Sequence, residues 1–274
     1  MGNNESGFRN RYGQWALVTG ASDGIGRAAA EVLAAHGMNL VLVARREKLL
    51  HQLANHISDV FDVECRSMPT DLAEPGETGR LIAELEGLDI GLLVAAAGFG
   101  TSGPFSDGAL LKEQQMLAVN CGAVLELTHH FSQRFVARGS GGLVLLSSIV
   151  AFQGVAGSAH YAATKAWVQT LGEGLHTELS DQGVDVICVA PGPVDTGFAT
   201  RANLVMKNAA SPHVVAKETL AALGKKRTVR PGRLARLLGL ALTVPRWARI
   251  RIMKQVMAGM TKHQRAPATA ESRS

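Results

Sequence analysis

The chain has 274 residues and is short of cysteine, with three, and of aromatic side chains, at 5%. Cys65, Cys121 and Cys188 are scattered, odd in number and without ligand-like spacing. They supply neither a disulfide framework nor a zinc site, and no metal is expected. Three reduced, buried thiols in a cytoplasmic protein is the plainer reading. Long apolar runs are missing too. No stretch approaches the roughly 18 residues a membrane span needs, and Met1–Gln14 lacks the apolar centre of a signal peptide. Met1-Gly2-Asn3-Asn4-Glu5-Ser6 fits an N-myristoylation pattern, but the match is short enough for chance to supply it. Acidic residues are absent from one region. Between Thr219 and Ala270 there are twelve Lys or Arg and no Asp or Glu, whereas the rest of the chain is net acidic. A basic segment on an acidic body suits an anionic surface, while no nucleic-acid-binding module accompanies it. What remains, 46% hydrophobic and 19% charged, is ordinary globular composition.

Short apolar runs alternate with helix-length segments from Trp15 to about Val189. The runs are Trp15–Thr19, Leu40–Ala44, Ile90–Ala95, Leu143–Ser147 and Val184–Val189, with a weaker one at Val63–Met68. Near-continuous apolarity over so few residues predicts strands covered on both faces. Ile25–His36, closed by Gly37, reads as a helix with a glycine C-cap. Strand and helix in alternation predict an α/β fold with a doubly wound parallel sheet of Rossmann type. Residues 1–14 are a polar lead-in, 15–232 a single catalytic domain, and 233–274 a basic, helical C-terminal extension.

The first strand runs directly into Thr19-Gly20-Ala21-Ser22-Asp23-Gly24-Ile25-Gly26, and a helix follows. Glycines at such a turn let the backbone approach a pyrophosphate, and the helix behind them offers unpaired N–H groups to it. At the end of the second strand, where an acid would bind the ribose 2′-hydroxyl of NAD, the chain has Arg45-Arg46. Guanidinium groups there bind a 2′-phosphate and favour NADP(H), with NAD(H) the alternative. The alternative is that both arginines merely open the next helix in solvent.

Tyr161 and Lys165 are four apart, and on a helix they share a face. An ammonium about 4 Å from the phenol favours phenolate by about 4 kcal/mol at an effective dielectric near 20, before desolvation opposes it. That would bring an otherwise weak acid–base group toward neutral pH. Ser148 lies 13 residues upstream of Tyr161 at a strand end, and Asn120 sits in Val119-Asn120-Cys121-Gly122. Pro191-Gly192-Pro193-Val194-Asp195-Thr196 follows the sixth strand.

Taken in order, these motifs resemble those of the classical short-chain dehydrogenases/reductases over roughly Trp15 to Thr196. The glycine spacing Gly20-x-x-x-Gly24-x-Gly26 is that family's. The stretch Gly13–Gly26 is locally similar to 17β-hydroxysteroid dehydrogenases and very-long-chain 3-oxoacyl-CoA reductases. The resemblance implies a catalytic set of Asn120, Ser148, Tyr161 and Lys165. Asn120 would hold a water on a distorted helix, Ser148 would orient the substrate carbonyl, and Lys165 would also bind the nicotinamide ribose. It further implies cofactor contacts from Gly20, Ser22, Asp23, Gly24, Ile25, Gly26, Arg45, Arg46, Asp71, Leu72, Ala97, Gly98, Pro191, Gly192, Val194 and Thr196, besides Asn120, Tyr161 and Lys165. A homodimer or homotetramer through helices near Leu110–Arg138 and Ser158–Gln182 is implied as well. Two departures stand out. Asp23 occupies a place where many NADP-dependent relatives carry a basic residue. Ala95-Ala96-Ala97-Gly98 lacks the asparagine that normally pins neighbouring strands.

The loops after strands four to six contribute Phe99, Phe105, Val150, Phe152, Val155, Phe198 and Met206. Of these, Phe99, Val150, Phe152, Val155 and Phe198, with Ser148 and Tyr161, are the predicted substrate contacts. The set is apolar and lacks a carboxylate clamp, which favours a hydrophobic ketone, steroid-like or 3-oxoacyl. The expected activity is reversible, NADPH-dependent reduction of such a ketone to the secondary alcohol. The competing reading is a non-catalytic NADP(H)-binding sensor or a membrane-associated scaffold. His160 adjoins Tyr161 on another helix face and reads as a substrate-loop or structural residue, while His129, His130 and His176 read as helix-surface residues. Ser211-Pro212 predicts a helix to about Leu223. Leu237–Val244 is an apolar run of eight, ended by Pro245. Beyond it, Trp247, Ile250, Met253 and Met257 form one helical stripe. That tail either lies on an anionic membrane as a peripheral contact or packs over the substrate site or a partner subunit.

Overall fold

The computed structural model describes residues 5–206, 208–240 and 243–264. The myristoylation match at Met1–Asn4 and the last basic residues from Arg265 onward lie outside them. Seven parallel strands form one sheet in the order β3-β2-β1-β4-β5-β6-β7. They are β1 (Trp15–Thr19), β2 (Asn39–Ala44), β3 (Cys65–Pro69), β4 (Ile90–Ala95), β5 (Gly141–Leu146), β6 (Val184–Val189) and β7 (Thr228–Val229). This is the doubly wound α/β fold expected. Its strand order reverses between β1 and β4, and such a switch point opens a crevice at the carboxyl ends of the strands.

Alternation along each strand feeds two cores. Ala16 and Val18 of β1 and Leu40 and Leu42 of β2 face one layer, with α2 (Gly24–Ala35), α3 (Glu47–Phe61) and α9 (Pro212–Ala222). Leu17, Val41 and Val43 face the other, with α4 (Glu77–Glu84), α6 (Ala123–Arg138) and α7 (Ala159–Leu179). Every residue of β1, β4 and β5 is buried. The weak third run is weak because β3 lies at the sheet edge, half covered. Strand β5 begins earlier than the apolar run suggested, at Gly141. A Cβ on Gly141 would strike the Phe135 ring, and one on Gly142 would lie 2.7 Å from Leu92 Cδ1. These glycines admit close neighbours rather than a turn. The helix from Pro212 runs as predicted, with Ser211 as N-cap and Leu223 as C-cap.

One element was invisible in the pattern, and another followed the helical extension expected. The polar lead-in contains α1 (Glu5–Tyr12), held to the sheet by Tyr12, whose hydroxyl donates to Asp185 Oδ2 at 2.8 Å. Arg11 Nε donates to the same oxygen at 2.7 Å. The C-terminal part forms α10 (Arg233–Leu240) and α11 (Arg246–Met260), which turn back over the crevice. Two further helices complete the chain order, α5 (Leu110–Leu117) before α6 and α8 (Gly197–Arg201) after β6. Among the described residues no helix is long and apolar enough to cross a membrane.

Candidate active site

A single cleft of about 410 Å³ runs across the switch point. One end is lined by the glycine turn, Arg45, Arg46, Asp71 and Leu72, the middle by Ser148, Tyr161 and Lys165, and the far end by α10 and α11. Every residue predicted at the cofactor end borders it, apart from Asn120, which lies behind the wall.

At the glycine turn, Gly20 has φ +68°, which a side chain rarely adopts. A Cβ there would sit 2.8 Å from the Ala97 amide nitrogen, and a Cβ on Gly26 would collide with the Gly20 carbonyl. Only glycine lets the turn, the start of α2 and the end of β4 meet this closely. Thr19 Oγ1 accepts the Ala97 N–H at 3.0 Å. A threonine on β1 thus pins the strand ends where the asparagine is missing. Beyond β2, Arg46 Nη2 donates to Ser22 Oγ at 3.0 Å and Arg45 Nη1 reaches Asp71 Oδ2 at 3.5 Å. Both side chains remain about half exposed, at 47% and 54%, so these are weak and exchangeable bonds.

In the middle, α7 carries Tyr161 and Lys165 on one face, and its position is fixed from below. Ser147 Oγ donates to the Lys165 carbonyl at 3.0 Å, and Thr164 Oγ1 donates to the Tyr161 carbonyl at 2.8 Å. Lys165 Nζ donates to the Leu146 carbonyl at 2.8 Å and lies 5.9 Å from the centre of the Tyr161 ring. An ammonium has three donors, so two remain to face the cleft. Burial pushes this ammonium down to about 8. Burial also pushes the Tyr161 phenol up to about 12, with the Ser148 hydroxyl pulling the other way. The expected drift of Tyr161 toward phenolate is therefore reversed. Desolvation of the phenolate outweighs the hydrogen bond that Ser148 offers it.

Asn120 is fully buried in a π-helical turn, Ala118–Gly122, between α5 and α6. Its side chain is fully used. Oδ1 accepts from the Phe99 N–H at 3.1 Å, while Nδ2 donates to the Phe99 carbonyl and to Thr164 Oγ1, each at 3.0 Å. The helix distortion that the resemblance implied is present, and the side chain ties the loop after β4 to α7. Gly98 lies against it, where a Cβ would come 2.9 Å from Asn120 Oδ1 and 3.3 Å from Lys165 Nζ.

At the substrate end, Phe99, Val150, Phe198 and Met206 line the cleft. The Phe198 ring stands 5.4 Å from that of Tyr161. Two predicted contacts, Val155 and Phe152, do not line it, nor does Phe105 from the same loops. Val155 is buried at 1% in a small core with Ala162 and Met257. The Phe152 ring lies under the Arg230 guanidinium, 4.9 Å away. Phe105 is 67% exposed in a short turn before α5. The wall is completed instead by Leu204, Leu238, Ile252, Met253, Val256, Met257 and Met260. Helix α11 and the short turn that follows it are stitched to all three substrate loops. Arg249 Nη1 donates to the Phe152 carbonyl at 3.1 Å, Val205 N–H to the Met260 carbonyl at 3.1 Å, and Gln264 Nε2 to Ser102 Oγ at 2.9 Å. The predicted stripe on α11 is split: Met257 is buried against α7, whereas Trp247 is 63% exposed.

Of the four histidines, His160 Nδ1 lies 2.8 Å from Glu113 Oε2, joining α7 to α5. His176 is not on the surface. Its Nδ1 meets the Val186 carbonyl at 2.8 Å, which makes that nitrogen the donor. Cys121 and Cys188 are buried and Cys65 is half-buried.

The family model for short chain dehydrogenase matches residues 14–206. The chain belongs to the short-chain dehydrogenase family. It is an NAD(P)-dependent oxidoreductase, as the motifs implied. Among curated relatives, it is 32% identical to 7β-hydroxysteroid dehydrogenase of Collinsella aerofaciens, over 82% of this chain and 88% of that one. It is 31% identical to the very-long-chain 3-oxoacyl-CoA reductase of Homo sapiens, over 96% and 84% respectively. A solved short-chain dehydrogenase from Sphingobium yanoikuyae in complex with NADPH superposes with a TM-score of 0.76 at 29% identity, covering 95% of this chain and 99% of that one. The glycine turn that leaves no room for a Cβ, and the two N–H groups of Lys165 that face the cleft, fit a dinucleotide cofactor along its length.

Proposed function

We propose that the protein reduces a hydrophobic ketone, of steroid-like or 3-oxoacyl type, to its secondary alcohol with NADPH. The observation that carries this reading is the continuity of the cleft, from two arginines through Tyr161 and Lys165 to a wall of methionine and branched aliphatic side chains. When bound, the reduced nicotinamide supplies the hydride. Ser148 orients the carbonyl oxygen, and Tyr161 gives the proton to it. A phenol held near 12 is fully protonated at neutral pH, which suits it to donate rather than to accept. Lys165 sustains that donor electrostatically and directs its remaining N–H groups toward the nicotinamide ribose. Asn120 holds the loop after β4 against α7, and Arg45 and Arg46 supply the preference for a 2′-phosphate. The relatives' printed substrates, a hydroxysteroid and a 3-oxoacyl-CoA, are both bulky and apolar, and both suit such a wall.

Exposed apolar side chains on α5, α6 and α7, among them Leu110, Leu111 and Leu125, support self-association through these helices. Leu237, Leu240 and Trp247, each more than 60% exposed on the basic tail, favour peripheral contact with anionic lipid as a second property of the protein. Co-sedimentation with anionic liposomes tests that contact. The enzymatic reading is tested by following NADPH oxidation at 340 nm against steroid ketones, 3-oxoacyl thioesters and small ketones, with NADH as the comparison. Turnover should be strongest with the bulky apolar members and with NADPH. It should fall about 10²–10⁴-fold in Tyr161→Phe. Wild-type turnover by that variant would remove the assignment.

A further inference from the structure

At the cofactor end the structure holds a third arginine that no motif points to. Arg201 closes the five-residue helix α8, and its Nη2 lies 3.3 Å from Asp23 Oδ2 in the glycine turn. Arg46 Nη2 approaches the same carboxylate oxygen at 3.6 Å. Arg45 is alongside, held by Asp71 at 3.5 Å. Three guanidinium groups therefore converge on one end of the cleft against two carboxylates, and all five side chains border it. The arrangement is short of negative charge. Arg201 is shifted down chiefly by burial, and then by the neighbouring Arg46 and Arg45, with Asp23 opposing. The contact between α8 and the turn is close by construction, since a Cβ on Gly197 would collide with the Asp23 carboxylate.

We propose that Arg201 is a phosphate ligand of the bound dinucleotide, delivered from α8 to the place where the glycine turn itself carries an acid. Asp23 stands in a position at which a basic side chain would face the cofactor phosphates directly. Arg201 returns that charge from the opposite wall. Its bond to Asp23 is partly exposed, at 44% and 29% for the two side chains, and is therefore weak enough to be exchanged for a doubly charged oxyanion. The same phosphate chemistry is offered by the 2′-phosphate and by the pyrophosphate. This inference rests on the proposed dinucleotide-dependent activity, and its test separates the two.

The test is equilibrium binding without substrate, by the nicotinamide fluorescence of NADPH and NADH, to wild type, Arg201→Ala and Arg201→Lys, with thermal melts as the folding control. Loss of one charged hydrogen bond predicts Kd for NADPH rising about tenfold to a hundredfold in Arg201→Ala, with Arg201→Lys between. If the 2′-phosphate is the partner, NADH binding stays within about twofold of wild type. If the pyrophosphate is the partner, both nucleotides weaken alike. Either pattern supports the ligand, and Arg201→Ala within about twofold of wild type for both nucleotides overturns it. Should the alanine variant not fold, Arg201→Gln keeps the side-chain length and carries the same comparison. A wild type that bound NADH as tightly as NADPH would remove the cofactor preference proposed above, and the NADH arm would still judge Arg201.

Discussion

Replacing the central lysine should make the protein more stable while abolishing its chemistry. Lys165 is 6% exposed, and burial lowers its ammonium from the ordinary 10.5 to about 8. At about 1.4 kcal/mol per pH unit, that drop amounts to about 3 kcal/mol by which the folded state is penalised at neutral pH. A methionine of similar length has no charge to desolvate. Against this, the Leu146 carbonyl loses its donor, which costs about 1 kcal/mol. The net expectation for Lys165→Met at pH 7 is a gain of about 2 kcal/mol, or a melting temperature higher by about 4–8 °C in a domain of this size. The pH dependence identifies the cause. Between pH 8 and 10.5 the unfolded wild-type chain holds a proton that the folded chain has released, so wild-type stability rises with pH across that window. The advantage of the variant should therefore be complete below pH 8 and shrink steadily toward pH 10. Thermal or urea melts of both proteins at pH 7, 8.5 and 10 measure it. A Met variant that melts lower than wild type at pH 7, by an amount that does not change at pH 10, would refute the reasoning.

The same lysine predicts a kinetic profile: kcat/KM for ketone reduction should be level below pH 8 and fall about tenfold per pH unit above it, since Tyr161 near 12 stays protonated throughout. A level profile to pH 9.5 would contradict this. Thr19→Val keeps the volume of the side chain but leaves the Ala97 N–H without its acceptor, and should lower stability by about 1–3 kcal/mol in urea melts with little change in the m-value. Val256 lines the cleft and is 43% exposed, so Val256→Asp should fold normally. It should raise KM for a bulky apolar ketone about tenfold or more while leaving a small soluble ketone unaffected, as steady-state assays with both would report.

The sheet was legible because strands buried on both faces have little choice of composition, as β4 and all but the last residue of β1 illustrate. Strand β3 blurred for the converse reason, being exposed at the edge. The chemical centre was legible because Tyr161, Lys165, Ser148 and the glycine turn are each constrained by local spacing. What could not be read depends on contacts far apart in sequence. Thr19 takes the place of an absent asparagine across 78 positions, and Arg201 meets Asp23 across 178. The substrate wall was only half read. Phe152 and Val155 are apolar residues in the right loop, but one is used under Arg230 and the other inside a core. Residues on α11 carried a helical stripe, and nothing local revealed that its methionines face Tyr161's cleft while Trp247 faces away. The desolvation that opposes phenolate at Tyr161 was foreseeable in sign but not in size, because it depends on the packed surroundings and not on spacing.

Half of the chain's eight methionines, Met206, Met253, Met257 and Met260, border the substrate end. Unbranched thioethers repack around differently shaped guests more readily than branched side chains do. Three of the four sit on α11, a helix joined to the catalytic body by a few hydrogen bonds at its ends and contributing no proton-transfer group. The chain thereby keeps reactivity and shape recognition on separate stretches of sequence. Substitutions on the cleft-facing side of the last helix can change the guest while every proton-transfer group stays on the catalytic body. The cost is chemical rather than structural: those sulfur atoms are oxidisable, and sulfoxides on the wall would make an apolar chamber polar while the catalytic residues remained intact.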